Sequence, residues 1–143
     1  MRILFIDDEP EQIEVAVGLV REVLECEVVT VSTVEAAVSQ LHEVAFDLVV
    51  TDIFIPLGAR RGGALGPRAR RYKETVRHLG GLVLLDELDR VPNPPTVLAH
   101  TACTDFELIE VLGDRVHDRI PKPAPADVML RAVLEALGLP TPR

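Results

Sequence analysis

Five polar residues interrupt the chain at intervals, each directly after a short apolar run. Asp7 and Asp8 follow Arg2–Ile6, Asp52 follows Phe46–Thr51, Thr101 follows Thr96–His100, and Lys122 follows Val116–Pro121. Taken singly, each has a bland explanation: an Asp pair after a strand often caps a helix, and a lone Lys-Pro or Thr-Ala says little. In order and at successive strand ends, they make a chemical set. Three carboxylates brought together repel one another and raise each other's pKa unless a cation joins them. Hard oxygen ligands in an incomplete shell suit Mg²⁺, which keeps several waters and combines one or two carboxylates with phosphate oxygens. With such an ion neutralising a phosphoryl group, a carboxylate can attack phosphorus and form an aspartyl phosphate. A lysine can pair with one phosphoryl oxygen, and a threonine hydroxyl can donate to another.

That chemistry needs a scaffold that carries all five residues to one place. Apolar, β-branched runs alternate with amphipathic stretches along the chain. Strands are predicted at Arg2–Ile6, Cys26–Val31, Phe46–Thr51, Thr96–His100 and Val116–Pro121. The third is the most apolar and is expected to be central. Ile13, Val17, Val20 and Leu24 recur at helical spacing between Glu11 and Glu25, with Pro10 suited to a helix start. Ser32 or Thr33 caps a second helix running to about His42. A third helix is expected over roughly Arg70–Arg90, with Gly80-Gly81 a possible divide. A fourth covers Asp105–Leu112, and a fifth covers Ala126–Leu137, ended by Gly138 and Pro140. Five strands alternating with five helices imply an α/β fold, a doubly wound parallel sheet covered on both faces. In such a sheet, ligands bind beyond the carboxyl ends of the strands, where the strand order reverses. With order 2-1-3-4-5, the first and third strands meet at that point.

Composition bounds the alternatives. At 143 residues the chain has room for one domain, and residues 1–143 are read as one. Four Phe, one Tyr and no Trp provide no base-stacking surface of the kind single-stranded nucleic acid needs. Cys26 and Cys103 have no CxxC spacing and read as reduced core thiols. Neither a secretory h-region nor a membrane span is visible, so a cytoplasmic location is expected. The formal charge of −8 is uneven: residues 57–80 carry +6 and the remainder −14. The basic groups are Arg60, Arg61, Arg68, Arg70, Arg71, Lys73 and Arg77. Residues 57–69, with four Gly and one Pro, read as a loop.

The stretch ILFIDDEP, the TDIFIP around Asp52 with Pro56 four residues on, Thr101-Ala102, IPKP with Lys122, and GGLVLLDEL together resemble the response-regulator receiver family of two-component signalling. The resemblance covers nearly the whole chain except about residues 57–79, which stand as a basic insertion. It implies a flavodoxin-like fold and Mg²⁺ held by Asp8, Asp52 and the backbone carbonyl of Phe54, with Asp7 acting largely through water. It implies phosphotransfer from a histidine kinase or phosphotransfer protein to Asp52, and Thr101 and Lys122 reading the phosphoryl group. The output would be phosphorylation-dependent binding of a downstream protein, by a signalling module that catalyses its own phosphotransfer and hydrolysis and is not a metabolic enzyme.

Three departures stand out. The aromatic expected three residues before the lysine is Arg119, which cannot be buried without a partner. Phe54 and Cys103 occupy the positions flanking the route of an attacking water, and bulky Phe54 is expected to slow hydrolysis. The insertion emerges beside Asp52, as a solvated loop, as arginines complementing the acidic body or a partner's acidic surface, or as a nucleic-acid contact supported by charge alone. The alternative function is a receiver-like docking module that works without phosphate through that insertion. A Mg²⁺-dependent phosphohydrolase is disfavoured, because Phe54 replaces the second Asp such enzymes use.

Overall fold

The computed structural model describes residues 1–58, 66–72 and 79–141. Five parallel strands, β1 (Arg2–Ile6), β2 (Glu27–Val31), β3 (Leu48–Thr51), β4 (Thr96–Thr101) and β5 (Asp118–Pro121), form one sheet in the order β2-β1-β3-β4-β5. The apolar third strand is central, as its sequence requires. Side chains alternate along each strand, so every strand feeds two cores. Ile3, Phe5, Leu48, Val50, Leu98 and Ile120 face one layer. Leu4, Ile6, Val49, Val97 and Ala99 face the other.

The first layer consists of α1 (Glu14–Leu24) and α6 (Ala126–Ala136), which pack against each other. A 3-10 turn at Pro10–Gln12 precedes α1, so the proline starts the helical run but α1 itself opens later than expected. The second layer holds α2 (Val34–Glu43), α4 (Gly80–Leu88) and α5 (Phe106–Leu112). Thr33 caps α2 by accepting from the Ala36 amide, and Asp105 caps α5 by accepting from Glu107 and Leu108. Such caps contribute about 1 kcal/mol each.

The sequence expectation of five helices is corrected to six among the described residues: α3 (Pro67–Arg70) is a helical turn begun by Pro67, at the end of the predicted loop. The expected Arg70–Arg90 helix is also corrected. Among the described residues its main helical part is α4, which starts at Gly80, and residues 73–78 lie outside the described residues. The physical reason is close approach. Gly80 and Gly81 donate to Ile55 O and Ile53 O at 2.9 and 3.0 Å. A Cβ on Gly81 would lie 2.6 Å from Ile53 Cα, and one on Gly80 would lie 2.3 Å from Ile55 O. The glycine pair is therefore the contact that sets the start of α4 against the loop after β3. Residues Gly80 through Asp86 are all buried, as in a helix covered on every side; α3 packs on it, with Ala69 fully buried.

Cys26 is half-buried and Cys103 buried, both as free thiols. No helix among the described residues is long and apolar enough to cross a membrane.

Gly81→Ala should destabilise the protein by about 2 kcal/mol, because backbone on both sides of the new methyl has to shift. Gly18→Ala, where nothing lies within 4 Å of the added Cβ, should stabilise it by about 0.5–1 kcal/mol through helix propensity. Urea denaturation midpoints of the two variants check both signs.

Candidate functional site

The site lies at the carboxyl edge of the sheet, where β1 sits between β2 and β3 and the chain direction of winding reverses. Parallel pairing brings Asp7, one residue past β1, beside Asp52, one residue past β3. Asp7 N donates to Val31 O at 3.0 Å and Asp52 N to Ile6 O at 3.1 Å, so the ladder continues through both acidic residues. Their side chains are nearly sealed from solvent, with 2% and 5% exposure, whereas Asp8 is exposed. One carboxylate oxygen from each of Asp7, Asp8 and Asp52 lies within 4.8 Å of the others.

Lys122 enters from β5. Its Nζ donates to Asp7 Oδ2 at 2.6 Å and to Asp52 Oδ2 at 2.7 Å. Burial lowers its pKa, but the hydrogen bonds to Asp52 and Asp7 outweigh that and hold it above the ordinary lysine value. One ammonium against three carboxylates leaves the cluster anionic. The consequence falls on Asp8, whose pKa is raised by desolvation first and then by the charges of Asp7 and Asp52. A crowded, oxygen-only set with surplus negative charge fits a hard divalent cation.

The remaining carboxylate oxygens organise the loops. Asp7 Oδ1 accepts from Glu9 N, and Asp52 Oδ1 accepts from Phe54 N at 3.1 Å. Thr101, 1% exposed, ends β4, and its Oγ1 accepts from Cys103 N at 3.2 Å. Lys122 N donates to Thr101 O at 3.1 Å, tying the two strand ends together. Asp8, Asp52, Phe54, Ala102 and Lys122 line a cleft of about 660 Å³ that runs on past α1. Asp7, Asp8, Asp52, Phe54, Thr101 and Lys122 therefore gather at one edge of the sheet. Phe54 is 40% exposed, on the cleft wall. Arg119 is exposed on β5, in a shallow pocket that it shares with Thr101, Ile109 and Lys122.

Two residues were missed. His100, 6% exposed, lines the cleft with its Nε2 unpartnered among the described residues. Burial, followed by the Lys122 charge, lowers its pKa below 6.5. The only available signal was an ionisable residue inside an apolar strand. Asp86 is buried in α4, where it pairs with Arg68 of the insertion. Its signal was equally slight, one acidic residue in GGLVLLDEL.

No protein-family model matches the chain, and no curated protein matches it in sequence. Solved structures share its fold. The CheY-like response regulator receiver domain protein of Methanospirillum hungatei is 19% identical with a TM-score of 0.71, over 96% of this chain and 93% of that one. The N-terminal domain of an uncharacterised Wolinella succinogenes protein is 20% identical with a TM-score of 0.72, over 95% and 93%. The non-phosphorylated HemR receiver domain of Leptospira biflexa is 21% identical with a TM-score of 0.67, over 99% and 98%. The chain has the flavodoxin-like fold of receiver domains, and it carries an acidic cluster at the edge where that fold binds ligands.

Two pH effects follow. Raising the pH through the Asp8 titration forces a charge that the folded state resists. Asp8→Asn should therefore raise the unfolding midpoint in EDTA at neutral pH, and added Mg²⁺ should stabilise wild type more than the variant. His100 titrates lower in the folded state, so its contribution is present above pH 6.5 and is lost as pH falls towards its folded pKa. His100→Leu should flatten that acid-side decline in stability, as read by urea unfolding at several pH values.

Proposed function

We propose that this chain is a receiver domain of the response-regulator family, a single module over residues 1–143 that accepts a phosphoryl group on Asp52. The observation that carries the reading is the bridge from Lys122 to Asp7 and Asp52 inside a three-carboxylate cluster. Two buried carboxylates with one shared ammonium are costly to assemble for stability alone. The arrangement is instead suited to a site that will receive a cation and an anion together.

In this reading, Asp8, Asp52 and the Phe54 carbonyl hold Mg²⁺, with Asp7 acting through water. The ion supplies charge neutralisation for the incoming phosphoryl group. Asp52 is the nucleophile: one carboxylate oxygen forms the bond to phosphorus as the donor's bond to phosphorus breaks. Lys122, already beside Asp52, exchanges a carboxylate contact for a phosphoryl oxygen. The Thr101 hydroxyl accepts from Cys103 N and keeps its own proton for a second phosphoryl oxygen. Phe54, standing at the cleft wall, shields the acyl phosphate from water. The donor is a histidine kinase or phosphotransfer protein, and the output is binding of a downstream protein. The module acts in signalling, in the cytoplasm, with self-catalysed phosphotransfer and dephosphorylation as its chemistry.

Incubation with acetyl phosphate and Mg²⁺ should add one phosphoryl mass to wild type in intact-mass spectrometry and none to Asp52→Asn. Absence of an adduct together with absence of Mg²⁺ binding would transfer the function to phosphate-independent docking through the insertion. Phe54→Ala should shorten the lifetime of the adduct several-fold, measured as loss of that mass after the donor is removed.

A further inference from the structure

The insertion after β3 joins the body at a defined place. Asp86, 6% exposed on α4, accepts from Arg68 Nη1 at 2.9 Å, from Ala69 N at 3.1 Å and, at the limit of hydrogen bonding, from Arg68 N at 3.4 Å. Gly66 lies so close that a Cβ there would sit 2.5 Å from the Asp86 carboxylate. The same Arg68 Nη1 donates to Asp89 Oδ2 at 2.7 Å, and Asp89 Oδ1 accepts from Arg115 Nε at 2.9 Å. With Ala69 fully buried against the core, residues 66–70 form a latch on α4. A merely solvated loop would not bury a carboxylate in this way.

The other end of α4 is fastened to the loop that Asp52 controls. Asp52 Oδ1 accepts from Phe54 N, Ile53 O accepts from Gly81 N, and Ile55 O accepts from Gly80 N. The contact at Gly81 leaves no room for even a methyl group against the Ile53 backbone. An event that takes Asp52 Oδ1 away from Phe54 N would therefore act on the loop against which the start of this buried helix is packed. Five residues further on, that helix carries the carboxylate holding the insertion. This is a contiguous chain of packed and hydrogen-bonded groups of the kind that carries coupling between sites.

We infer that α4 couples the chemical state of Asp52 to the latch at Gly66–Arg70, so that the basic insertion is a route by which the site's state reaches the surface. The inference rests on the phosphoacceptor reading above and extends it. The exposed Arg119 on β5 is not part of this route. The surface that the latch moves carries Arg70 and Arg71, both exposed and outside the ion pairs among the described residues.

Hydrogen exchange with mass spectrometry on the whole chain tests it, before and after acetyl phosphate with Mg²⁺, with the adduct confirmed by intact mass in the same sample. Exchange of the Arg68 and Ala69 amides should change at least tenfold on phosphorylation, while β1 and β3 hold steady. Asp86→Asn should raise exchange at those amides at least tenfold in the resting protein, keep the adduct, and abolish the further change. Arg68→Ala removes both ion pairs while leaving the buried carboxylate its Ala69 amide, and gives the same test should Asp86→Asn fold poorly. A confirmed adduct with unchanged exchange at Arg68 and Ala69 overturns the coupling and leaves the phosphoacceptor reading standing. Absence of any adduct overturns both.

Discussion

Carboxylates at the ends of adjacent parallel strands are held at the strand spacing, and cannot separate to relieve their repulsion. Asp7 and Asp52 are in that position, both buried, with Asp8 at the rim. Lys122 is the charge that offsets their repulsion, and it reaches them because β5 lies on the sheet beside β4 and directs its carboxyl end to the same edge. The doubly wound order thus does more than pack a core. It converts five residues scattered over the chain into one electrostatic unit whose charge is left incomplete.

The two faces of the sheet have different duties around that unit. On the α1 and α6 face, the cleft opens past Gln12, Ile13 and Ala16 towards His100, whose burial disfavours a charge on its ring, and Lys122 is the one Lys or Arg among the described residues that line it. On the other face, α4 is fastened to the loop after β3 through two glycines and is buried almost all round. A helix this apolar needs a cover, and part of the insertion supplies it. Arg68 pairs with Asp86 and Asp89, which at this one residue agrees with the reading, one of three for the insertion, that its arginines complement the acidic body. Arg60, Arg61, Lys73 and Arg77 lie outside the described residues.

The strands and the five polar residues of the site were legible in the sequence because two periodicities and one positional rule express them, whereas the sheet order followed from the resemblance to the receiver family. Apolar runs of four to six residues mark strands, and ligand-binding groups in such sheets follow the strand ends. The divide at Gly80-Gly81 was legible and is where α4 starts, but apolar spacing continues through Leu79 and suggested one helix over Arg70–Arg90, whereas the start of α4 is decided by backbone contacts with Ile53 and Ile55. No periodicity records that Gly80 and Gly81 touch a loop some twenty-five residues earlier.

What the sequence determined by itself is the chemistry: three carboxylates, a hydroxyl and an ammonium, each placed after a β-forming run and so destined for one edge of a parallel sheet. Composition and alternation suffice for this, because strand direction and side-chain period follow from local sterics. The tertiary structure decided which charges pair and which are left over. Asp86 reads as one acidic residue in a helix until Gly66 and Arg68 are brought against it, and His100 as one polar residue in a strand until burial leaves its Nε2 without a partner among the described residues. Pairing and desolvation depend on distances between residues far apart in the chain, and only the folded packing sets those distances.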